Sequence, residues 1–113
     1  MNHVRIWTLV ACAAAVSVTG FAAAKGDPEK GKAVFEQCAV CHDPDSDQAK
    51  DDKKIGPGLK GLFKRDKLAS NNKKVTEANV RARIDEGGNG MPPYKDMLSD
   101  QEKDDLIAYL KTL

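Results

Sequence analysis

The feature of this sequence that most constrains its fold is the run Cys38-Ala39-Val40-Cys41-His42. At helical spacing the two thiols lie one turn apart on the same side, and an imidazole follows directly. This C-x-x-C-H spacing is the attachment signature of c-type haem, in which two thioethers fix the porphyrin and the histidine binds the iron. The run therefore predicts one covalent haem c held by Cys38 and Cys41, with His42 as an axial ligand of the iron.

The first 24 residues predict an export signal. Arg5 supplies a short positive region, residues 6–18 supply an apolar region, and Ala22-Ala23-Ala24 offers small residues for cleavage. Cleavage at this point leaves residues 25–113 as one small domain, located in the periplasm.

Two other interpretations of the N-terminal segment stay open. Residues 6–24 approach the length of about 20 apolar residues that a membrane-spanning helix needs, so an uncleaved anchor is one alternative. The other is a lipid-attachment box ending at Cys12, although the apolar run before this cysteine is short for an export signal. Membrane association is therefore expected only transiently or through an uncleaved segment.

The competing interpretations of the C-x-x-C-H run are a disulfide, a thioredoxin-like redox pair and a zinc site. A disulfide would give His42 no role. A thioredoxin-like pair is expected within a βαβ pattern, and no alternating apolar run predicts a strand here. A structural zinc site needs four ligands, whereas residues 25–113 contain two Cys and one His, so a carboxylate would have to complete it. Haem is the favoured interpretation.

Helix signals predict an all-α fold with about three to four helices packed around the haem. Asp27 is a suitable cap for a first helix that runs to about Gln37, and Gly31 lets the C-terminal helix approach closely. A second strong signal is the capping box that begins at Ser99, which is followed by apolar residues at helical spacing. A further helix is predicted between Thr76 and the glycine pair at 87–88.

Two methionines after residue 24 could supply the sixth ligand of the iron. Met91 follows the glycine-rich segment 87–90 and precedes two prolines, which together describe a stiff loop close to a flat cofactor. Met97 precedes the Ser99 cap, where core packing is the expected role of a methionine. The sequence therefore favours Met91 as the second axial ligand.

These residues resemble the class I c-type cytochromes, and the resemblance extends from Gly26 to Leu113. Its parts occur in the family order: Gly31 and Phe35 ahead of the C-x-x-C-H run, Ile55-Gly56-Pro57-Gly58-Leu59 after it, Gly90-Met91-Pro92 later, and the helix with Leu106 and Tyr109 at the end. The resemblance implies that the Pro57 carbonyl accepts a hydrogen bond from His42. It also implies that Arg65 pairs with a haem propionate. Considered without the resemblance, residues 56–58 could be only a turn, and Arg65 a solvated surface residue.

The resulting functional hypothesis is a monomeric, single-haem electron carrier that exchanges electrons with redox partner proteins and is not an enzyme. One alternative is a haem-carrying subunit permanently docked on a dehydrogenase or oxidase complex, and another is a gas sensor in which Met91 dissociates. The net charge is close to zero, with 18 Lys+Arg against 17 Asp+Glu, so the chain lacks the excess of positive charge that favours nucleic-acid binding. Locally, basic residues outnumber acidic ones across residues 50–74, which suggests either steering of an acidic partner or a solubilising surface.

Overall fold

The computed structural model describes residues 26–50 and 52–113, and the export signal predicted for residues 1–24 lies outside them. No β-strand forms in these two ranges, where β pairing is limited to two isolated bridges. The prediction of an all-α fold is therefore confirmed. The elements in chain order are α1 (Pro28–Phe35), a 3-10 helix (Leu62–Lys64), α2 (Glu77–Glu86) and α3 (Asp100–Leu110).

Helix α1 begins where the sequence predicts it. The Asp27 carboxylate accepts hydrogen bonds from the backbone N–H groups of Glu29 (2.9 Å) and Lys30 (3.4 Å), and Pro28 occupies the first helical position. These bonds satisfy donors that have no partner within the helix, and the acidic cap favours the positive end of the helix dipole.

The regular part of α1 ends at Phe35, slightly before the predicted end at about Gln37. The chain continues in tight turns, in which the N–H of Cys38 donates to Phe35 O (2.8 Å) and the N–H of His42 donates to Cys38 O (2.9 Å). The C-x-x-C-H run therefore lies on turns that extend directly from a packed helix.

Helices α2 and α3 also begin at side-chain caps. Thr76 Oγ1 accepts from the N–H of Asn79 (3.1 Å), and α2 ends before Gly87, whose φ of +63° favours glycine. At α3, Ser99 Oγ accepts from the N–H of Glu102 (3.1 Å) while the Glu102 carboxylate accepts from the N–H of Ser99 (2.7 Å). This reciprocal pair confirms the predicted capping box.

The core is built where α1 crosses α3. A Cβ atom on Gly31 would overlap the carbonyl oxygen of Asp105 and come within 2.9 Å of Tyr109 Cβ, so the two backbones touch at this glycine. The rings of Phe35 and Tyr109 pack at a centroid distance of 5.2 Å beside the crossing. Leu106, only 1% exposed, lies at the centre of the apolar cluster. The other buried apolar residues are Phe35, Leu62, Leu68, Val80, Ile84, Tyr94, Leu98, Ile107 and Leu110.

Ion pairs join α2 to α3. The Arg81 guanidinium contacts the carboxylates of Asp100 (3.1 Å) and Asp104 (2.6 Å). The ammonium of Lys103, which is 4% exposed, lies 2.7 Å from the Asp85 carboxylate. Within residues 26–50 and 52–113, none of the helices has the length and apolar character needed to cross a membrane.

Candidate functional site

A cavity of about 520 Å³ opens beside the core and brings together residues that are far apart in the sequence. Its walls come from the turns after α1, the segment 55–59, the inner face of α2 and the loop after α2. All six residues that the sequence predicts for the site line this cavity. Those on the wall are Cys38, Cys41, His42, Pro57, Arg65 and Met91.

The orientation of His42 is fixed by its own loop contacts. His42 Nδ1 lies 2.8 Å from the carbonyl oxygen of Pro57. Because a carbonyl can only accept, Nδ1 carries the hydrogen and Nε2 keeps the lone pair that a metal requires. Gly56 makes this approach possible, since a Cβ atom there would lie 2.5 Å from His42 Cε1. Residues 56–58 are therefore more than a surface turn, because they hold the imidazole.

Met91 lines the same cavity, although it lies much later in the sequence than His42. Its backbone N–H donates to Gly88 O (3.1 Å) and its carbonyl accepts from the N–H of Gly88 (2.9 Å), which closes a tight turn. Gly87, Gly88 and Gly90 all have positive φ in this turn. The side chain is half-buried, packed against the core cluster.

Met97 does not pack as the sequence suggested. The expectation that it is a core residue is wrong, because its side chain is 63% exposed. The N–H groups of Met97 and Leu98 both donate to Tyr94 O, and in the resulting turn Leu98 enters the core while Met97 points outward. Met97 is also not among the residues that line the cavity.

The environment of the two thiols differs from that of a thioredoxin-like redox pair. No disulfide joins Cys38 to Cys41. Burial, and secondarily the neighbouring Cys41, raises the pKa of the Cys38 thiol to about 11. A thioredoxin-like nucleophile needs a lowered thiol pKa, so this environment argues against that interpretation.

The zinc interpretation also lacks support among the described residues. None of them form a group of three or more His, Cys, Asp and Glu side chains that could hold a metal ion. The carboxylate that would have to complete such a site with His42 and the two cysteines is therefore not supplied by the described part of the chain.

Arg65 lies on the cavity wall, where its guanidinium bonds to backbone. Its Nη2 donates to the carbonyl oxygens of Gly58 (3.0 Å) and Lys60 (2.7 Å). The side chain thus links the segment 58–60 to the residue that directly follows the 3-10 helix, and its pairing with a propionate stays a prediction. The remaining guanidinium N–H groups leave a propionate contact chemically feasible.

Arg83 also lines the cavity, although no sequence motif pointed to it. Arg83 lies at the i+3 position from Val80 and directly precedes Ile84, so it shares the inner face of α2 with two core residues. A charged residue on a helix face that otherwise carries core residues was the sequence signal that could have pointed to Arg83.

The chemistry of the wall fits a haem. A porphyrin is a flat apolar ring with carboxylates at one edge, and here an apolar cavity carries two thiols, an oriented imidazole and a thioether. This donor set, on an all-α chain, defines the class of proteins that attach haem covalently.

Comparisons with known proteins agree with this class. A family model described as Cytochrome c matches residues 28–113. The chain is 31% identical to cytochrome c2 from Rhodospirillum rubrum, in an alignment that covers 89% of this chain and 91% of that protein. Its fold is similar to that of cytochrome c6 from the diatom Phaeodactylum tricornutum, with a TM-score of 0.54 and 26% identity over 77% of this chain and 93% of that one.

The chain belongs to the cytochrome c family. Members of this family bind one haem c covalently, and Cys38 and Cys41 fit the C-x-x-C-H attachment motif. Haem-mediated electron transfer is the function that family membership indicates.

Proposed function

We propose that this protein is an exported, monomeric electron carrier in which Cys38 and Cys41 hold the haem, and His42 and Met91 are the axial ligands. Bound haem supplies a reversible one-electron change at its iron. His/Met ligation raises the reduction potential relative to other ligand sets, which suits a carrier. Residues 1–24 are the export signal and residues 25–113 the periplasmic domain.

One observation carries this proposal: all four side chains line a single cavity. His42 keeps its Nε2 lone pair available because Pro57 O occupies Nδ1. Met91 sits in a closed turn, and a weak thioether ligand benefits from a rigid loop that holds the sulfur in place. With both axial positions filled by the chain, no position is left for a substrate. A non-enzymatic role follows, since His42 is the sole histidine after residue 24.

The experiment that tests this function is a carbon monoxide titration of the ferrous protein combined with a redox titration. An electron carrier is expected to give one reversible one-electron couple and to bind carbon monoxide poorly, because Met91 occupies the sixth position. Met91→Ala should bind it readily, whereas Met97→Leu should behave like the wild type. Ready binding by the wild type would instead favour the gas-sensor alternative.

The docked-subunit alternative is separated from the free carrier by purification. A free carrier should elute as a monomer at both low and high salt. Co-purification with a larger catalytic chain at high salt, where exposed charges are screened, would support the subunit.

The positive charge near the cavity favours binding of a redox partner whose docking surface is acidic. Residues 60–74 contain six Lys or Arg and one Asp, and five members of this segment (Leu62, Arg65, Leu68, Ala69 and Ser70) line the cavity. Because the basic segment forms part of the cavity wall, an acidic partner would be steered toward the haem edge.

A further inference from the structure

Both backbone polar atoms of Gly87 are bonded to Arg83. The N–H of Gly87 donates to Arg83 O (2.9 Å), which ends α2, and Arg83 Nη1 donates to Gly87 O (2.6 Å). One residue of the helix thus holds the two successive peptide units on either side of Gly87, one through its N–H group and one through its carbonyl oxygen.

Gly87 is in turn packed against Met91. A Cβ atom on Gly87 would overlap the Met91 carbonyl oxygen, so the two backbones are in contact. Gly88 is bonded to Met91 through both of its backbone polar atoms. Gly88 also leaves room for the guanidinium, since a Cβ atom there would lie 3.0 Å from Arg83 Nη1. A continuous set of contacts therefore runs from Arg83 through Gly87 and Gly88 to Met91.

Among the described residues, the hydrogen bond to Gly87 O is the contact that holds the Arg83 guanidinium in place. Its Nε is buried and has no hydrogen-bond partner among the described residues. The ion pairs found there do not include Arg83, whereas Arg81 on the same helix pairs with Asp100 and Asp104. Charged hydrogen bonds are stronger than neutral ones, and Gly87 O receives one at a short distance.

We propose that Arg83 is a positioning residue for Met91: its guanidinium clamps the 87–91 loop so that the thioether stays in the cavity. The proposal rests on the proposed function, in which Met91 binds the haem iron. Arg83 does not touch the sulfur. It acts through Gly87, and its loss should therefore loosen the ligand without removing it.

The strength of this clamp can be measured by the apparent Kd of imidazole for the ferric haem. Imidazole binds only when Met91 leaves, so a looser loop lowers the apparent Kd. Loss of one charged hydrogen bond predicts that Arg83→Met lowers this Kd about tenfold. Arg83→Lys keeps a cationic donor at shorter reach and should lower it about threefold. Arg81→Met and Arg81→Lys are the matched controls on α2, and neither should shift the Kd.

The outcomes separate the clamp from the ligand assignment. Equal imidazole affinity in the Arg83 variants and their Arg81 counterparts, with normal Met91 ligation in the wild type, would overturn the clamp alone. Absence of a sulfur-to-iron charge-transfer band in the ferric wild type would overturn the ligand assignment instead. If Arg83→Met does not fold, the comparison of Arg83→Lys with Arg81→Lys decides, and equal affinities again contradict the clamp.

Discussion

Gly31 lies against the backbone of Asp105 so closely that no side chain fits between α1 and α3. Because the C-x-x-C-H run extends directly from α1, this crossing also determines where the two thiols and His42 face the cavity. The geometry of the site therefore depends on a glycine that is not itself part of the cavity wall.

Gly31→Ala should consequently destabilise the protein strongly. The added methyl group meets rigid backbone rather than a flexible side chain, so we expect a loss of about 3 kcal/mol, the upper end of overpacking costs. Thermal unfolding followed by circular dichroism should show a Tm lower by about 10 °C or more. Ala33→Ser, on the exposed face of α1, is the control, and a Tm for Gly31→Ala equal to that control would contradict the close crossing.

Asp105 gives the stability a specific pH dependence. Its carboxylate accepts from the N–H of Asp27 (2.7 Å) and from the side-chain amide of Gln101 (3.0 Å), and the Asp27 bond first, then the Gln101 bond, lowers the pKa of Asp105 below its ordinary 3.8. A carboxyl with a lowered folded-state pKa favours the folded state above pH 3.8, and this contribution is lost as pH falls through the folded pKa.

The measurement is the difference in Tm between wild type and Asp105→Asn as a function of pH. The wild type should be more stable near pH 7, and the difference should shrink as the pH is lowered below about 4. Asp96→Asn, at an exposed position, provides the control. A difference that does not vary between pH 7 and pH 2 would show that the ionised carboxylate is not what stabilises this contact.

Removing haem should unfold much of the chain. Without haem, the apolar side chains that line the cavity of about 520 Å³ would face water, and a small domain has little other core to offset this loss of burial. The Cys38→Ala/Cys41→Ala double variant, freed of haem, should therefore show little helical circular dichroism. Native-like helicity in this variant would mean that the core between α1 and α3 folds without the cofactor.

The basic segment 60–74 predicts opposite salt effects for oppositely charged redox reagents. Without residues 1–24 the chain has equal numbers of basic and acidic residues, so net charge alone would give little salt dependence. In stopped-flow experiments, oxidation by ferricyanide should slow as salt is added, while oxidation by the cationic cobalt tris-phenanthroline complex should quicken. Flat profiles with both reagents would leave a solubilising surface as the role of this segment.

Much of this architecture could be predicted from local sequence signals. Capping by Asp27 and Ser99 and the close approach at Gly31 depend on neighbouring residues or on side-chain size, so the sequence carries them directly. The exposure of Met97 was not predictable, because adjacent apolar residues do not indicate which one a turn directs inward. Arg83 was missed because its partner, Gly87 O, is a backbone atom that no residue pattern identifies.

The most direct test of the account is the visible spectrum of the ferric protein in three forms: wild type, Met91→Ala and Met97→Leu. The wild type and Met97→Leu should both show the weak sulfur-to-iron charge-transfer band. Met91→Ala should lack the band, and its reduction potential should fall by on the order of 0.1 V, a fraction of the range that axial ligands set. A band that survives in Met91→Ala and disappears in Met97→Leu would contradict the assignment of the iron ligand.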